Sequence, residues 1–328
     1  MRIVMMGTGT FAEPTFEALL KANERVVGLV TQPDRGTGRK GGSTRQTGVG
    51  MAAIAQAHNV PVIQPESINS PEGLALLHAL EPDLLVVAAY GQILSNEVIA
   101  APKLGAINVH ASLLPKYRGA SPVAHAILNG ETTTGVTIIR ITLGLDAGEM
   151  LDRAEMKILP EETTGTLEAR LAPVGAELAL NVIQRMKTGP IAGTKQDPKL
   201  VTKAPKIKKE HGLIDWSKSA DQILRQVRAF QPWPTAYTFF HRPGKEPMRV
   251  IVLKAGNNVH YSRSTPPPAD LNGKLDDWGE PLRVWCGFSY LVDIFELQPA
   301  GKKRMTAEEF LRGYPIQDGY RFGPETLA

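Results

Sequence analysis

Asn108 and His110 stand two residues apart in the run Ala106-Ile107-Asn108-Val109-His110, and Asp146 lies in a glycine-flanked loop, Gly144-Leu145-Asp146-Ala147-Gly148. An amide donates hydrogen bonds, an imidazole gives or takes a proton, and a nearby carboxylate can fix its tautomer. Two convergent donors can stabilise an oxygen that gains charge as a carbonyl is attacked. No Ser or Cys stands in a nucleophile elbow, so an acyl group handled here would pass directly to an acceptor supplied by a substrate. Each residue also has a plain structural role open to it: a strand Asn or His can be a satisfied core group, and an Asp between glycines can be a turn or cap residue. The histidines (His58, His78, His110, His125, His211, His241 and His260) show no metal-ligand spacing, so no metal is expected.

For Asn108 and His110 to act together they must leave one face of a strand, and their alternation with Ile107 and Val109 does that. After them come Ser112, a stiff Leu113-Leu114-Pro115 corner, a Lys116-Tyr117-Arg118 tip and Gly119. The preceding apolar run, Asp83 to Ala89, reads as a strand buried on both faces and ends in Tyr90-Gly91-Gln92. Open α/β sheets bind ligands outside the carboxyl ends of their strands, so this turn and the Asn108 strand are expected side by side. The chain opens as a βαβ unit: strand 2–7, helix 14–22, strand 26–31. Gly7 and Gly9 suggest a dinucleotide fingerprint, but Ala12 stands at its third glycine and no acid closes the second strand. Helices are expected over 51–58, 71–80 and 121–129, and strands over 60–63, 135–141 and 150–158. A long helix over 164–186 contains Pro173, which is expected to kink or interrupt it.

The whole chain has 328 residues, 42% of them hydrophobic and 21% charged, which suits two domains. The spacing predicts an α/β domain with a doubly wound, mostly parallel sheet over 1–193, a basic linker over 194–210 and a small β-barrel domain over 211–328. Cys286 is the only cysteine, which excludes an internal disulfide and fits a buried core thiol. No apolar run is long enough to span a membrane and no signal-peptide pattern is present, so a cytoplasmic location is expected. Residues 1–205 hold 19 Lys plus Arg against 19 Asp plus Glu, whereas residues 206–328 hold 18 against 14. The basic excess is C-terminal. Loop 33–50 carries Arg35, Arg39, Lys40 and Arg45 against Asp34 alone; it is either a solvated insertion or an arm that orders on a phosphate backbone.

Asn108-Val109-His110, Ser112-Leu113-Leu114-Pro115, Arg118-Gly119 and Gly144 to Gly148 together resemble the signature of the folate-dependent formyltransferases. Within that family the likeness to members acting on charged initiator methionyl-tRNA extends along almost the full chain. It runs through Thr31-Gln32-Pro33-Asp34-Arg35, Ala89-Tyr90-Gly91, Ile214-Asp215-Trp216-Ser217, Pro232-Trp233-Pro234 and Leu297 to Lys302. Two departures stand out. Gly9 and Thr10 replace the family's usual Pro and acid, and loop 41–50 lacks its usual proline.

The resemblance implies a Rossmann-like formyltransferase domain followed by an OB-like β-barrel, in a chain acting as a monomer without metal or membrane. It implies 10-formyltetrahydrofolate as formyl donor and the methionine amine on initiator tRNA as acceptor. Asn108 and His110 would then hold the oxyanion, with Asp146 orienting His110 and helping to move the amine's proton. Ala89, Tyr90, Gly91 and Gln92 would face the folate together with Ser112, Leu113, Leu114 and Pro115. Arg35, Arg39, Lys40 and Arg45 would meet the acceptor end of the tRNA, with Lys206, Lys208 and Lys209 on the rest. An amino-sugar nucleotide is the rival acceptor, a folate-hydrolysing enzyme would need no acceptor, and a non-catalytic RNA-binding protein is the reading from another class. The basic loop and lysine-rich linker favour tRNA, and the convergence of Asn108, His110 and Asp146 favours catalysis.

Overall fold

The unbroken apolar run Ile3-Val4-Met5-Met6 becomes strand β1 (Ile3–Gly7), buried along its length, as a parallel strand covered on both faces must be. The computed structural model describes residues 1–33, 49–256, 271–276, 281–287 and 290–327. These cluster into two units, the first made of Met1–Ala126, Glu131–Pro160 and Gly165–Lys206 and the second of Ile127–Gly130, Glu161–Thr164 and Ile207–Ala328.

After β1 the chain continues through α1 (Glu13–Lys21), β2 (Val26–Val30), α2 (Met51–Ala57), β3 (Val62–Ile63), α3 (Pro71–Ala79), β4 (Leu84–Ala88) and α4 (Asn96–Ala100). It then forms β5 (Ala106–His110), α5 (Pro122–Leu128), β6 (Thr133–Arg140), β7 (Met150–Lys157) and α6 (Thr164–Thr188). The strands form one sheet in the order β3-β2-β1-β4-β5-β6-β7. Pairing is parallel from β3 to β5 and antiparallel from β5 to β7. The winding direction reverses between β1 and β4, so a crevice opens at the carboxyl ends of those strands. As expected, β5 lies beside β4, with Val87 next to Asn108.

Pro173 does not interrupt its helix: α6 runs unbroken for 25 residues. Burial of Leu167, Leu171, Ala172, Ala176, Ala179, Val182 and Ile183 on one stripe outweighs the hydrogen bond that the proline removes. Gly175 lets this helix approach closely, because a Cβ there would lie 2.6 Å from Val109 Cγ1 and 3.3 Å from Val136 Cγ1. The helix thus presses on the face of β5 opposite Asn108 and His110. Among the described residues no helix is long and apolar enough to cross a membrane.

The second unit contains α7 (Ala220–Ala229), begun by a Ser219/Gln222 capping box. After it come β8 (Ala236–His241), β9 (Met248–Gly256), β10 (Leu275–Asp276), β11 (Leu282–Cys286), β12 (Tyr290–Pro299), β13 (Met305–Thr306), α8 (Ala307–Gly313) and β14 (Arg321–Gly323). The sheet order is β10-β11-β12-β9-β8-β14, and a Lys274–Arg321 bridge joins its two ends, which makes the expected barrel. Trp216, Phe240, Phe310, Phe322 and Leu297 fill its core with Ile223 and Val227 of α7. Cys286 is fully buried there, and burial pushes its thiol up to about 12.

Gly175→Ala tests the approach of α6 to β5. In an open helix this change is worth about 1 kcal/mol of added stability. Here the stiff Val109 side chain blocks the added carbon, and a loss of about 1–3 kcal/mol is expected. A denaturant midpoint that rises instead would show that the helix can move aside.

Candidate active site

Strand β5 brings Asn108 and His110 to one face, and His110 is only 5% exposed. His110 Nε2 lies 2.9 Å from the Tyr117 carbonyl oxygen. A carbonyl only accepts, so Nε2 carries the hydrogen and Nδ1 is the ring atom left facing Asp146. Nδ1 stands 3.6 Å from Asp146 Oδ2, beyond hydrogen-bond length. The group that holds the ring by a hydrogen bond is therefore Tyr117, with Asp146 alongside. Asp146 Oδ2 accepts the Gly119 N–H at 2.8 Å, and Oδ1 accepts the Asn108 amide at 3.4 Å. One carboxylate thus gathers a tight backbone donor and two looser side-chain groups.

The turn that supplies Tyr117 and Gly119 is itself held from several sides. Tyr117 has a left-handed backbone, with φ of 63°. Its N–H donates to Thr202 Oγ1 and its hydroxyl to Glu131 Oε1, both at 2.8 Å. Burial alone would raise the Glu131 carboxyl, but the Tyr117 hydroxyl and the Lys116 ammonium outweigh it and hold it below its usual value. Gly119 has φ of 128°, and a Cβ there would meet the Ala204 carbonyl oxygen at 2.5 Å, so only glycine can present this amide to Asp146. Asp146 is also left-handed, with φ of 46°, and Gln196 Nε2 donates to its carbonyl oxygen at 2.7 Å.

The loop after β5 is tied to β6. Thr137, paired across the strands with His110, donates to the Ser112 carbonyl oxygen at 2.7 Å and accepts the Leu114 N–H at 3.1 Å. Ser112 is fully buried and its hydroxyl donates to the Lys116 carbonyl oxygen. Leu114 is buried, while Leu113 and Pro115 are half-buried. On the neighbouring turn Ala89 has φ of 46° and Gly91 φ of 85°, and both are exposed. Gln92 accepts the Ile68 N–H and donates to the Glu66 carbonyl oxygen. Ser112 and Gln92 therefore shape their loops, with their own polar atoms already engaged.

Arg35, Arg39, Lys40 and Arg45 lie outside the described residues. Lys206, Lys208 and Lys209 are exposed, with Lys208 3.8 Å from Glu210. Of residues 194–210, read as linker, 194–206 belong to the first unit and 207–210 to the second.

Sequence reasoning missed the Tyr117 carbonyl, the Gly119 amide, Thr137 and Gln196. It also missed Ile93, Leu143 and Leu145, which are 80%, 70% and 63% exposed on loops flanking the turn and Asp146. Apolar residues between glycines or beside a turn were the available signal.

Tyr90 is 2% exposed and its hydroxyl has no partner among the described residues. Burial pushes that phenol up to about 12. Tyr90→Phe is expected to raise stability by about 1 kcal/mol, because an unsatisfied buried hydroxyl is removed. A lowered unfolding midpoint would reveal a partner for the phenol.

Residues 1–183 match the formyl transferase family and residues 206–315 match the formyl transferase C-terminal domain. The methionyl-tRNA formyltransferase of Citrifermentans bemidjiense is 43% identical over 328 residues, spanning 100% of this chain and 98% of that one. That of Bacillus subtilis is 39% identical over 318 residues, spanning 97% and 96%. Among solved structures, the sugar 3N-formyl transferase WlaRD, in the presence of dTDP and 5-N-formyl-THF, superposes with a TM-score of 0.65 at 17% identity, covering 92% of this chain and 99% of that one. A methionyl-tRNA formyltransferase from Clostridium thermocellum gives 0.55 at 15% identity, covering 78% and 93%. Matched in both halves and along nearly its whole length, the chain belongs to the formyl transferase family.

Proposed function

We propose that this chain, acting as a cytoplasmic monomer, transfers the formyl group of 10-formyltetrahydrofolate to the α-amino group of methionine on initiator tRNA. The observation that carries this reading is the 39–43% identity, over nearly the full chain, to enzymes named methionyl-tRNA formyltransferase. The likeness to a sugar formyltransferase stays at the level of the fold, at 17% identity. Folate as co-substrate is supported by family membership and by folds of this kind studied with 5-N-formyl-THF or tetrahydrofolic acid.

In the proposed reaction the amine nitrogen attacks the formyl carbon, and the formyl oxygen takes up negative charge. Asn108 Nδ2 and His110 Nδ1, gathered around one carboxylate, are the donors for that oxygen. Because Nε2 is engaged by Tyr117, His110 acts from Nδ1 alone: it donates when the ring carries both protons and accepts when the ring is neutral. Collapse breaks the bond from the formyl carbon to folate N10. N10 gains the proton that the amine loses, and Asp146 is the group that moves it, through water.

Ala89 to Gln92 and Ser112 to Pro115 form the folate side by shape and backbone. Ile93, Leu143 and Leu145 offer apolar surface to the folate rings. Arg35, Arg39, Lys40 and Arg45 meet the acceptor end, and Lys206, Lys208 and Lys209 meet phosphates, which position an RNA without reading its sequence.

The protein incubated with 10-formyltetrahydrofolate, charged initiator tRNA and an amino-sugar nucleotide is expected to formylate the tRNA; product on the sugar alone would reverse the assignment. Asn108→Ala is expected to lower the single-turnover rate by about 10²–10³, the usual loss for one oxyanion donor, and a near-normal rate would remove it from that role. Replacing Lys206, Lys208 and Lys209 by Ala should weaken tRNA binding and reduce the slope of log affinity against log salt by about one for each phosphate no longer neutralised. An unchanged slope would mean that these lysines do not touch the backbone.

A further inference from the structure

Residues 194–206, the larger part of the 194–210 stretch that reads as linker by composition, are bonded to both loops that hold the candidate centre. Thr194 exchanges two backbone hydrogen bonds with Met150, at 2.9 and 2.8 Å. Thr202 receives the Tyr117 N–H on its hydroxyl and the Arg118 N–H on its carbonyl, and Ala204 N–H donates to the Arg118 carbonyl oxygen at 2.7 Å. Gln196 is the junction. Its Nε2 donates to the carbonyl oxygens of Asp146 and Gly148 at 2.7 and 2.8 Å. Its Oε1 accepts from Arg118 Nε and Nη2 at 3.0 and 2.8 Å. Both amide hydrogens and both acceptor positions are thus used, two of the four bonds on the short loop where Asp146 holds its left-handed backbone. Arg118 fixes the amide's orientation, because a guanidinium can only donate and so must face the oxygen end.

We infer that Gln196, anchored by Arg118, is a positioning residue for the reaction: it sets where the Asp146 carboxylate stands against Asn108 and His110 without touching the reacting atoms. The inference rests on the formyl-transfer reading above. Gln196→Glu separates this role from packing. A glutamate keeps the size of the side chain and its acceptors for Arg118, but it lacks the two N–H groups that hold the loop.

In Q196E the single-turnover rate is expected to fall about ten- to a hundred-fold, the scale of a small misplacement of a reacting group. The KM values for donor and acceptor should stay within about two-fold, as for an interaction that matters only in the transition state. In an Asp146→Asn background the same substitution should add no further loss, because both act through one carboxylate. In ¹H–¹⁵N spectra of histidine-labelled protein the His110 Nδ1 signal should move. A rate like that of the unsubstituted protein, an equal loss in the Asp146→Asn background, or an unmoved Nδ1 signal would each overturn the inference. If the unsubstituted chain transfers no formyl group, the proposed function fails, and the Nδ1 signal still decides whether Gln196 positions Asp146. If Q196E does not fold, Gln196→Met makes the same comparison, with matched size and no N–H donor.

Discussion

The Asp146 carboxylate is the group around which the centre is arranged, and its side chain is only 13% exposed. Taking a carboxylate out of water is costly unless donors replace the lost hydration. The tight donor here is the Gly119 main-chain amide at 2.8 Å, whereas Asn108 and His110 stand at 3.4 and 3.6 Å. A backbone amide cannot rotate away, so it anchors the anion and leaves the two side chains loosely engaged. Asn108 and His110 Nδ1 are therefore not committed to the carboxylate, and in the proposed reaction they can close on an oxygen that becomes negative only as the reaction proceeds, the kind of difference between ground and transition states that catalysis requires.

Holding that geometry requires unusual backbone. Ala89, Tyr117 and Asp146 all have left-handed conformations, at 46°, 63° and 46°, and all three lie in loops of the candidate centre. Such conformations cost about 1–3 kcal/mol each for residues with a side chain. The stabilisation that offsets them lies in the sheet beneath, where β1 and β4 are buried at every position, and in α6 packed flush on Val109 through Gly175. Tyr117 shows the connection most directly. Its hydroxyl, amide and carbonyl are bonded to Glu131, Thr202 and His110 in turn, so a strained residue becomes a rigid one.

The second unit has a core of its own. Phe240 meets Phe310, Tyr314, Tyr320 and Phe322 with ring centroids 5.3 to 5.7 Å apart, and the Lys274–Arg321 bridge closes the sheet around it. Aromatic contacts edge-on at this spacing fix side-chain orientation as well as excluding water. Around that core the long strands β9 and β12, of nine and ten residues, are joined by β10, β13 and β14 of only two or three residues each.

Asn108 and His110 on one face of β5 were legible in the sequence, because alternation along a strand is a local property of the backbone. So were the βαβ opening, the doubly buried β4, the barrel and the buried Cys286, since burial follows from runs of apolar residues. The interruption expected at Pro173 is absent, because the hydrogen bond it removes is outweighed by a buried stripe that only the packed molecule contains. The strands β10, β13 and β14 are too short to carry a pattern. The bonds that complete the centre were hidden for a different reason. The Tyr117 carbonyl and the Gly119 amide are main-chain groups that nearly every residue possesses, so no residue type announces them. Gln196 reaches Asp146 across 50 positions of chain. Residue order was enough to say which side chains could do chemistry. Which nitrogen of His110 is free, which amide grips Asp146 and which distant glutamine holds its loop were settled by the folded chain, because hydrogen bonds depend on distance in space and direction, and neither is a property of residue order.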